Sequence, residues 1–328
     1  MTAIELDEAS LETYRPTQHA PADFDDVWAR TLKEARDHPI DVRTRRVDTG
    51  LTLVDVDDLT FAGFGGERVS AWLVRPANAT GPLPVVVEYN GYGGGRGVAH
   101  QHLLWAAAGF AHLFMDTRGQ GSAWGNGGDT PDPHGSGPAL PGFMTRGIES
   151  FETYYYRRLI TDAVRAVDAV RDLPGIDTDR IVVKGASQGG GLALATAGLV
   201  DGLAGALIDV PFLCHIRRGI EVSDTDPYGE IVRYLAVHRG AIEQTLATLD
   251  YVDGMHHAAR ATAPALFSVA LRDNVCPPST VFAAQHAYAG PSEITRYAFN
   301  NHEGGQGHQE RVQLDWLRAR GLTPAEAS

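Results

Sequence analysis

The stretch KGASQGGG, Lys184 to Gly191, sets four glycines in eight residues. It follows RIVV, a short apolar run rich in β-branched residues, and leads into LALATAGLV, which reads as a helix. Glycine inside a helix costs about 1 kcal/mol relative to alanine, so Gly189, Gly190 and Gly191 together forgo roughly 3 kcal/mol. That is a large sacrifice for a folded protein stable by only about 5–15 kcal/mol. What the glycines permit is a sharp turn. Gly185-Ala186-Ser187-Gln188-Gly189 is the pattern G-x-S-x-G in the strand–turn–helix setting it requires. The serine stands on the turn with its hydroxyl projecting from the sheet edge. Neighbouring backbone then comes so close that positions two before and two after the serine cannot carry a Cβ, which Gly185 and Gly189 satisfy. Gly190 and Gly191 let the helix pack tightly on the sheet. The helix N-terminus aims free N–H groups and a positive dipole end at the space above the serine.

The remainder of the chain reads as strands alternating with helices. LTLVDVDDLTF and VSAWLVRP are strand-like, and after the turn NATGPLP comes VVVEY, a continuous apolar run of the kind buried on both faces. LLWAAAGF reads as a short helix and AHLFMD as the next strand. In YYRRLITDAVRAVDAVRDL, Ile160, Ala163, Val164, Val167 and Val170 recur at helical steps and make one apolar face. RIVVKG, AGALIDVPF, APALFSVAL and EITRYAF are further strands. QGGGLALATAGL, PSTVFAAQHAYA and the segment from His308 are further helices. This order implies a mostly parallel sheet covered on both faces. A length of 328 residues fits one such α/β domain, 1–328. Residues 1–45 read as a polar, acidic arm, irregular or helical, and 215–262 as a helical insertion. Residues 117–152, rich in Gly, Pro and Asp, read as a long loop of the kind that serves function or an interface.

A serine hydroxyl needs a base to take its proton, and the base needs an orienting acid. In sheets of this kind the chain order is serine, acid, histidine, with the groups at the C-terminal ends of strands. Asp273 in LRDN follows the strand PALFSVAL, and His302 in NNHEGG follows ITRYAF. Asp209 in LIDVPF, also at a strand end, is the rival acid. His302 must be neutral to act, so acidification that protonates it is expected to stop turnover. A metal site through His302 and His308, or through His256 and His257, lacks recognised zinc spacing with a carboxylate base. The developing oxyanion needs fixed donors, each worth about 3–4 kcal/mol in the transition state. The amide of Gln188, after the nucleophile, is one candidate. The second is Tyr92, in EYNGYGGGRG, the loop after an early strand. That loop has neither a Walker lysine nor G-x-G-x-x-G before a helix, which argues against nucleotide binding.

Lys and Arg number 28 against 41 Asp and Glu, a net charge of −13. So acidic a chain repels nucleic acid and anionic membranes. The N-terminus MTAIELDEASLETYRP has no basic segment followed by an apolar one, and no run approaches the ~18 apolar residues of a membrane span. A cytoplasmic protein is expected, and the NAT at Asn78 then means little as a glycosylation acceptor. Cys214 and Cys276 read as reduced, buried thiols rather than a disulfide framework.

Three motifs now stand together: RGQ at Arg118 to Gln120, GASQG at Gly185 to Gly189, and HE at His302 and Glu303. With DTRGQGS, PGFMTRGI, TYYYRR, TDAVRAV, DVPFLCH, DNVCPPSTVFAA and NNHEGG, the chain from about residue 60 to residue 310 resembles the acetyl xylan esterase and cephalosporin C deacetylase family, carbohydrate esterase family seven. The resemblance implies an α/β-hydrolase fold with Ser187 as nucleophile, Asp273 as acid, His302 as base, and Tyr92 and Gln188 as the oxyanion hole. It implies an intracellular enzyme without metal or other cofactor, acting on short acetylated oligosaccharides and small acetyl esters such as cephalosporin C. It also implies a homohexameric ring with active sites opening into a central cavity and the 117–152 loop at subunit contacts. Arg118 is expected to tie loop carbonyls together behind the site, and Glu303 to support it. Cys276 either lines the acyl pocket or packs as a small hydrophobe. Another carboxylesterase or a serine aminopeptidase on the same scaffold, or a non-catalytic interaction protein, are the competing readings.

Overall fold

A computed structural model describes residues 5–135 and 137–323. Two helices come first, α1 (Glu8–Thr13) and α2 (Phe24–Arg36). Three strands follow, β1 (Arg43–Val47), β2 (Val54–Ala62) and β3 (Arg68–Pro76). Strands and helices then alternate: β4 (Leu83–Tyr89), α3 (Leu104–Ala107), β5 (Ala111–Met115), α4 (Tyr155–Asp172), β6 (Ile176–Ala186), α5 (Gln188–Leu199) and β7 (Gly205–Asp209). The helices α6 (Ile216–Val222), α7 (Tyr228–Val237), α8 (Ile242–Asp250) and α9 (Gly254–Ala258) follow β7 within residues 215–262. Last come β8 (Ala265–Ala270), α10 (Pro278–Ala287), β9 (Ser292–Tyr297) and α11 (Gln306–Ala319).

These strands make one sheet in the order β1-β2-β3-β5-β4-β6-β7-β8-β9. The first flank, through the β3–β5 pair, is antiparallel, and every pair from β5–β4 to β8–β9 is parallel. Successive side chains of a strand point to opposite faces, so a strand covered on both faces must be apolar throughout. Val85, Val87, Val183, Ile208 and Phe267 enter the larger core under α4 and α5. Val86, Val182, Leu207 and Leu266 enter a smaller one with Trp105 and Trp316 from the α3 and α11 side.

The N-terminal arm is more ordered than its acidity suggests. Phe24, Val27, Trp28 and Leu32 form a buried stripe on α2. Trp28 Nε1 donates to the Tyr251 carbonyl at 2.9 Å, and Phe24 stacks on Tyr251, docking the arm on the segment around α9. Residues 117–152 hold no helix or strand among the described residues. No described helix is long and apolar enough to cross a membrane.

Candidate active site

The parallel half of the sheet brings its C-terminal strand ends to one edge, and the loops after β4, β6, β8 and β9 carry Tyr92, Ser187, Asp273 and His302. Ser187 has φ of 57° and ψ of −121°, a conformation that a side-chain-bearing residue adopts only when its surroundings enforce it. Three main-chain hydrogen bonds do so here. Ser187 N donates to the Asp209 carbonyl at 3.0 Å, while Phe212 N and Gly191 N donate to the Ser187 carbonyl at 2.9 and 3.0 Å. A Cβ on Gly185 would overlap the Gly189 carbonyl, and one on Gly189 would overlap the Tyr89 carbonyl oxygen. The glycines are therefore a steric requirement of the turn.

His302 Nε2 lies 2.9 Å from Ser187 Oγ, and its Nδ1 lies 2.8 Å from Asp273 Oδ2. The carboxylate can only accept, so the imidazole proton sits on Nδ1 and Nε2 is left to accept from the serine hydroxyl. The Asp273 side chain is fully buried, and its Oδ1 accepts from Val275 N at 2.8 Å and Cys276 N at 2.9 Å. The acid loop is tied to the histidine loop through Asn301 Oδ1, which accepts from Asn274 N at 3.1 Å and His302 N at 2.9 Å. Glu303 braces the same loop by accepting from Asn300 Nδ2 at 2.9 Å and Asn301 N at 3.1 Å. The Asn300 bond also holds the Glu303 carboxyl below its usual range.

Tyr92 and Gln188 are held by neighbours that no spacing in the sequence points to. Gln120, the last residue of RGQ, donates from Nε2 to Gln188 Oε1 at 2.9 Å and accepts from Gly93 N at 2.6 Å. Tyr156 Oη also donates to Gln188 Oε1, at 3.0 Å. One buried amide side chain thus fixes both the residue after the nucleophile and the residue after Tyr92. Trp124, from the long loop, donates through Nε1 to the Tyr92 carbonyl at 2.7 Å. The Tyr92 N–H has no acceptor among the described residues, and Gln188, at the first position of α5, has no intrahelical one.

The Arg118 expectation needs correction, and the remaining candidates can be placed. Asp209, the rival acid, lines the same cavity as Ser187 and His302 but is bonded to other partners. It accepts from Ser268 Oγ at 2.8 Å and Gln313 Nε2 at 2.6 Å, and burial raises its pKa. Arg118 binds carboxylates, not loop carbonyls. Its guanidinium meets Asp162 at 2.5 and 2.9 Å, Glu67 at 2.7 Å and Asp132 at 3.3 Å. A fully buried cation needs counter-charge that carbonyl dipoles do not supply. His257 is buried among the rings of Phe24 and Trp28, and His256 meets Gln18, both apart from the site. Cys276 is fully buried, as is Cys214, and both are free thiols. Asp273, Cys276 and His302 place potential ligand atoms within 4.8 Å of one another. Burial pushes the Cys276 thiol well above its usual range, so it stays protonated, and the other two groups bond each other.

A cavity of about 340 Å³ opens beside Ser187 and His302, walled by Trp124, Asp209 and the start of α11. Cys276 is not among its lining residues.

The family model described as acetyl xylan esterase (AXE1) matches residues 1–320. Acetyl esterase Axe7A of Xylanibacter ruminicola is 27% identical over 329 residues, spanning 94% of this chain and 69% of that protein. Among solved structures, acetyl xylan esterase from Paenibacillus sp. R4 superposes with a TM-score of 0.90 at 37% identity, covering 96% of this chain and 99% of that one. Acetyl xylan esterase 1 from Thermoanaerobacterium sp. JW/SL YS485 gives 0.88 at 30% identity, with 97% and 99% covered.

Proposed function

The chain belongs to the acetyl xylan esterase family, with its α/β-hydrolase fold, and from that premise we propose a serine esterase that frees acetate from short acetylated oligosaccharides through an acetyl-serine intermediate. The observation that carries this reading is the continuous hydrogen-bonded series Ser187–His302–Asp273 at the strand-to-helix turn. His302 Nε2 takes the Ser187 proton as Oγ attacks the acetyl carbonyl carbon. Asp273 stabilises the imidazolium and keeps its Nδ1 proton in place. The Tyr92 and Gln188 amides receive the oxyanion. The tetrahedral intermediate collapses, His302 protonates the departing sugar oxygen, and water repeats the sequence to release acetate.

Acetate release from a panel of acetylated xylo-oligosaccharides, p-nitrophenyl esters of rising acyl length and aminoacyl amides tests it. Acetyl esters of sugars lead the panel, a fluorophosphonate probe labels Ser187, and Ser187→Ala loses about 10⁴–10⁶ in kcat. Near-normal acetate release by that variant ends the assignment. A preference for amides or long acyl chains moves the chain to a peptidase or general carboxylesterase reading. Cephalosporin C enters the panel as the small-ester member. The same reading includes a cytoplasmic homohexamer with residues 117–152 at subunit contacts, for which light scattering gives the mass.

A further inference from the structure

The cavity beside Ser187 and His302 ends on an ion pair that the proposed acyl transfer does not use. Lys184 on β6 and Glu88 on β4 are in-register neighbours, and Lys184 Nζ donates to Glu88 Oε1 at 2.6 Å. Both line the cavity that holds Ser187 and His302. They also line a second cavity of about 120 Å³ behind them, walled by His102 and His112, so the pair forms a partition between the two spaces. His112 Nε2 stands 2.9 Å from the other Glu88 oxygen.

Two residues earlier on each strand, and so on the same face, Val86 and Val182 are packed under Trp105 and Trp316. An apolar pair at 88 and 184 would extend that core. A buried ammonium is costly unless it is paired and hydrogen-bonded. Lys184 is 7% exposed, and its ammonium has three N–H donors. One goes to Glu88, the face of Trp105 lies at 5.9 Å, and Asp209 and Glu310 are further acidic neighbours to which no hydrogen bond is made. Two donors are thus left, among the described residues, on a group that lines the reaction cleft.

The surroundings select the ligand. Glu88 already balances Lys184, and Glu303 and Glu310 line the same cleft, so an added carboxylate meets net repulsion. An apolar group would leave the two ammonium donors unmet. A neutral group bearing several hydroxyls offers acceptors to Lys184 and donors to the carboxylates. Resting on the esterase reading, we propose that Lys184 and Glu88 form the floor of a leaving-group subsite that takes a neutral polyhydroxylated alcohol, such as a partly acetylated sugar ring, and disfavours alcohols carrying a carboxylate. Cephalosporin C, which carries carboxylates, then ranks behind neutral sugars.

The test uses three acetate esters of similar size: a mono-O-acetyl methyl xyloside, cyclohexyl acetate, and a mono-O-acetyl methyl glucuronoside. With the native protein at low ionic strength, kcat/KM for the xyloside exceeds that for the glucuronoside by at least tenfold, and the gap narrows as salt is added. In Lys184→Met, and in Lys184→Met with Glu88→Leu, the xyloside-to-cyclohexyl ratio of kcat/KM falls at least tenfold, mostly through KM. A ratio is internal to each preparation, so partial loss of folded protein cancels, and the double variant leaves no buried charge unpaired. A ratio moved less than twofold in the variants, or equal use of xyloside and glucuronoside by the native protein, overturns the subsite. If none of the three esters is cleaved and the fluorophosphonate probe leaves Ser187 unlabelled, it is the esterase reading that fails.

Discussion

The Tyr92 hydroxyl donates to Glu230 Oε1 across 2.6 Å, joining the loop that follows β4 to a helix of the 215–262 insertion. The same hydroxyl oxygen accepts from Phe143 N at 2.6 Å, and Glu230 Oε2 accepts from Met144 N at 3.1 Å. Gly142, at φ of 127°, packs so closely on this carboxylate that a Cβ would overlap it. Three segments distant in sequence therefore meet on one buried acid. Burial raises the Glu230 pKa, and burial with the neighbouring Glu230 holds the Tyr92 phenol far above its usual range, so the phenol remains the donor.

If the Tyr92 amide stabilises the transition state, Glu230 sets its position from outside. Glu230→Ala is expected to lower kcat by about 10- to 100-fold, since a small misplacement of a catalytic donor has costs of this size. KM should stay within about twofold because ground-state contacts persist. Glu230→Gln keeps an acceptor for the phenol and recovers part of the loss. Steady-state kinetics on p-nitrophenyl acetate give both parameters, and a rise in KM with unchanged kcat would contradict the positioning role.

Asp273→Asn is expected to lose about 10⁴ in kcat, as when an orienting acid no longer fixes the imidazole tautomer. An asparagine can still accept from Val275 N and Cys276 N through its carbonyl, so the loop should hold and Tm should move little. Turnover and a thermal melt on one preparation separate chemistry from folding. A loss of activity matched by a loss of folded protein would instead make Asp273 a structural residue.

How far the sequence reveals this molecule depends on which interactions are local. The helix read from QGGGLALATAGL coincides with α5, because glycine punctuation and an apolar run both act within a few residues. The strand β1 escapes such reading. RTRRV has no apolar alternation, for its arginines lie on a sheet edge and pair across the ladder, Arg45 with Asp58 at 2.8 Å and Arg46 with Asp57 at 3.1 Å. The docked face of α2 was visible in principle, as Phe24, Val27, Trp28 and Leu32 have helical spacing, but its charged residues mask the stripe. Ser187, Asp273 and His302 could be singled out because each follows a strand whose end lies on one edge. Gln120, Glu230 and the carboxylates around Arg118 could not. Their partners are 14 to 138 residues away and obey no spacing rule.

Arg118 gives a stability prediction. It is fully buried, as is its partner Asp162. Arg118→Met strands that carboxylate, and breaking a buried pair on one side costs about 3–5 kcal/mol. Urea unfolding should show that loss, and adding Asp162→Asn to the Met variant should restore part of it by removing the unpaired charge. A Met variant within about 1 kcal/mol of the parent would mean that water reaches Asp162 or that Asp162 takes up a proton at little expense.

His257 supplies a pH dependence whose sign follows from burial. Burial, and after it the neighbouring His256, pushes its pKa down to about 3. Neither ring nitrogen has a hydrogen-bond partner among the described residues. Between the ordinary histidine value of about 6.5 and that depressed value, the unfolded chain binds a proton that the folded chain refuses. Stability therefore rises with pH across this window and is lost on acidification, by about 1.4 kcal/mol per pH unit, or about 2 kcal/mol by pH 5. His257→Leu keeps an apolar filler beside Phe24 and Trp28 and removes the titration. Urea unfolding at pH 7 and at pH 5 should then show the variant gaining about 2 kcal/mol relative to the parent on going to the lower pH. A stability difference that does not change between the two pH values would mean that His257 takes up its proton in the folded protein, with the arm carrying Phe24 and Trp28 yielding to admit water.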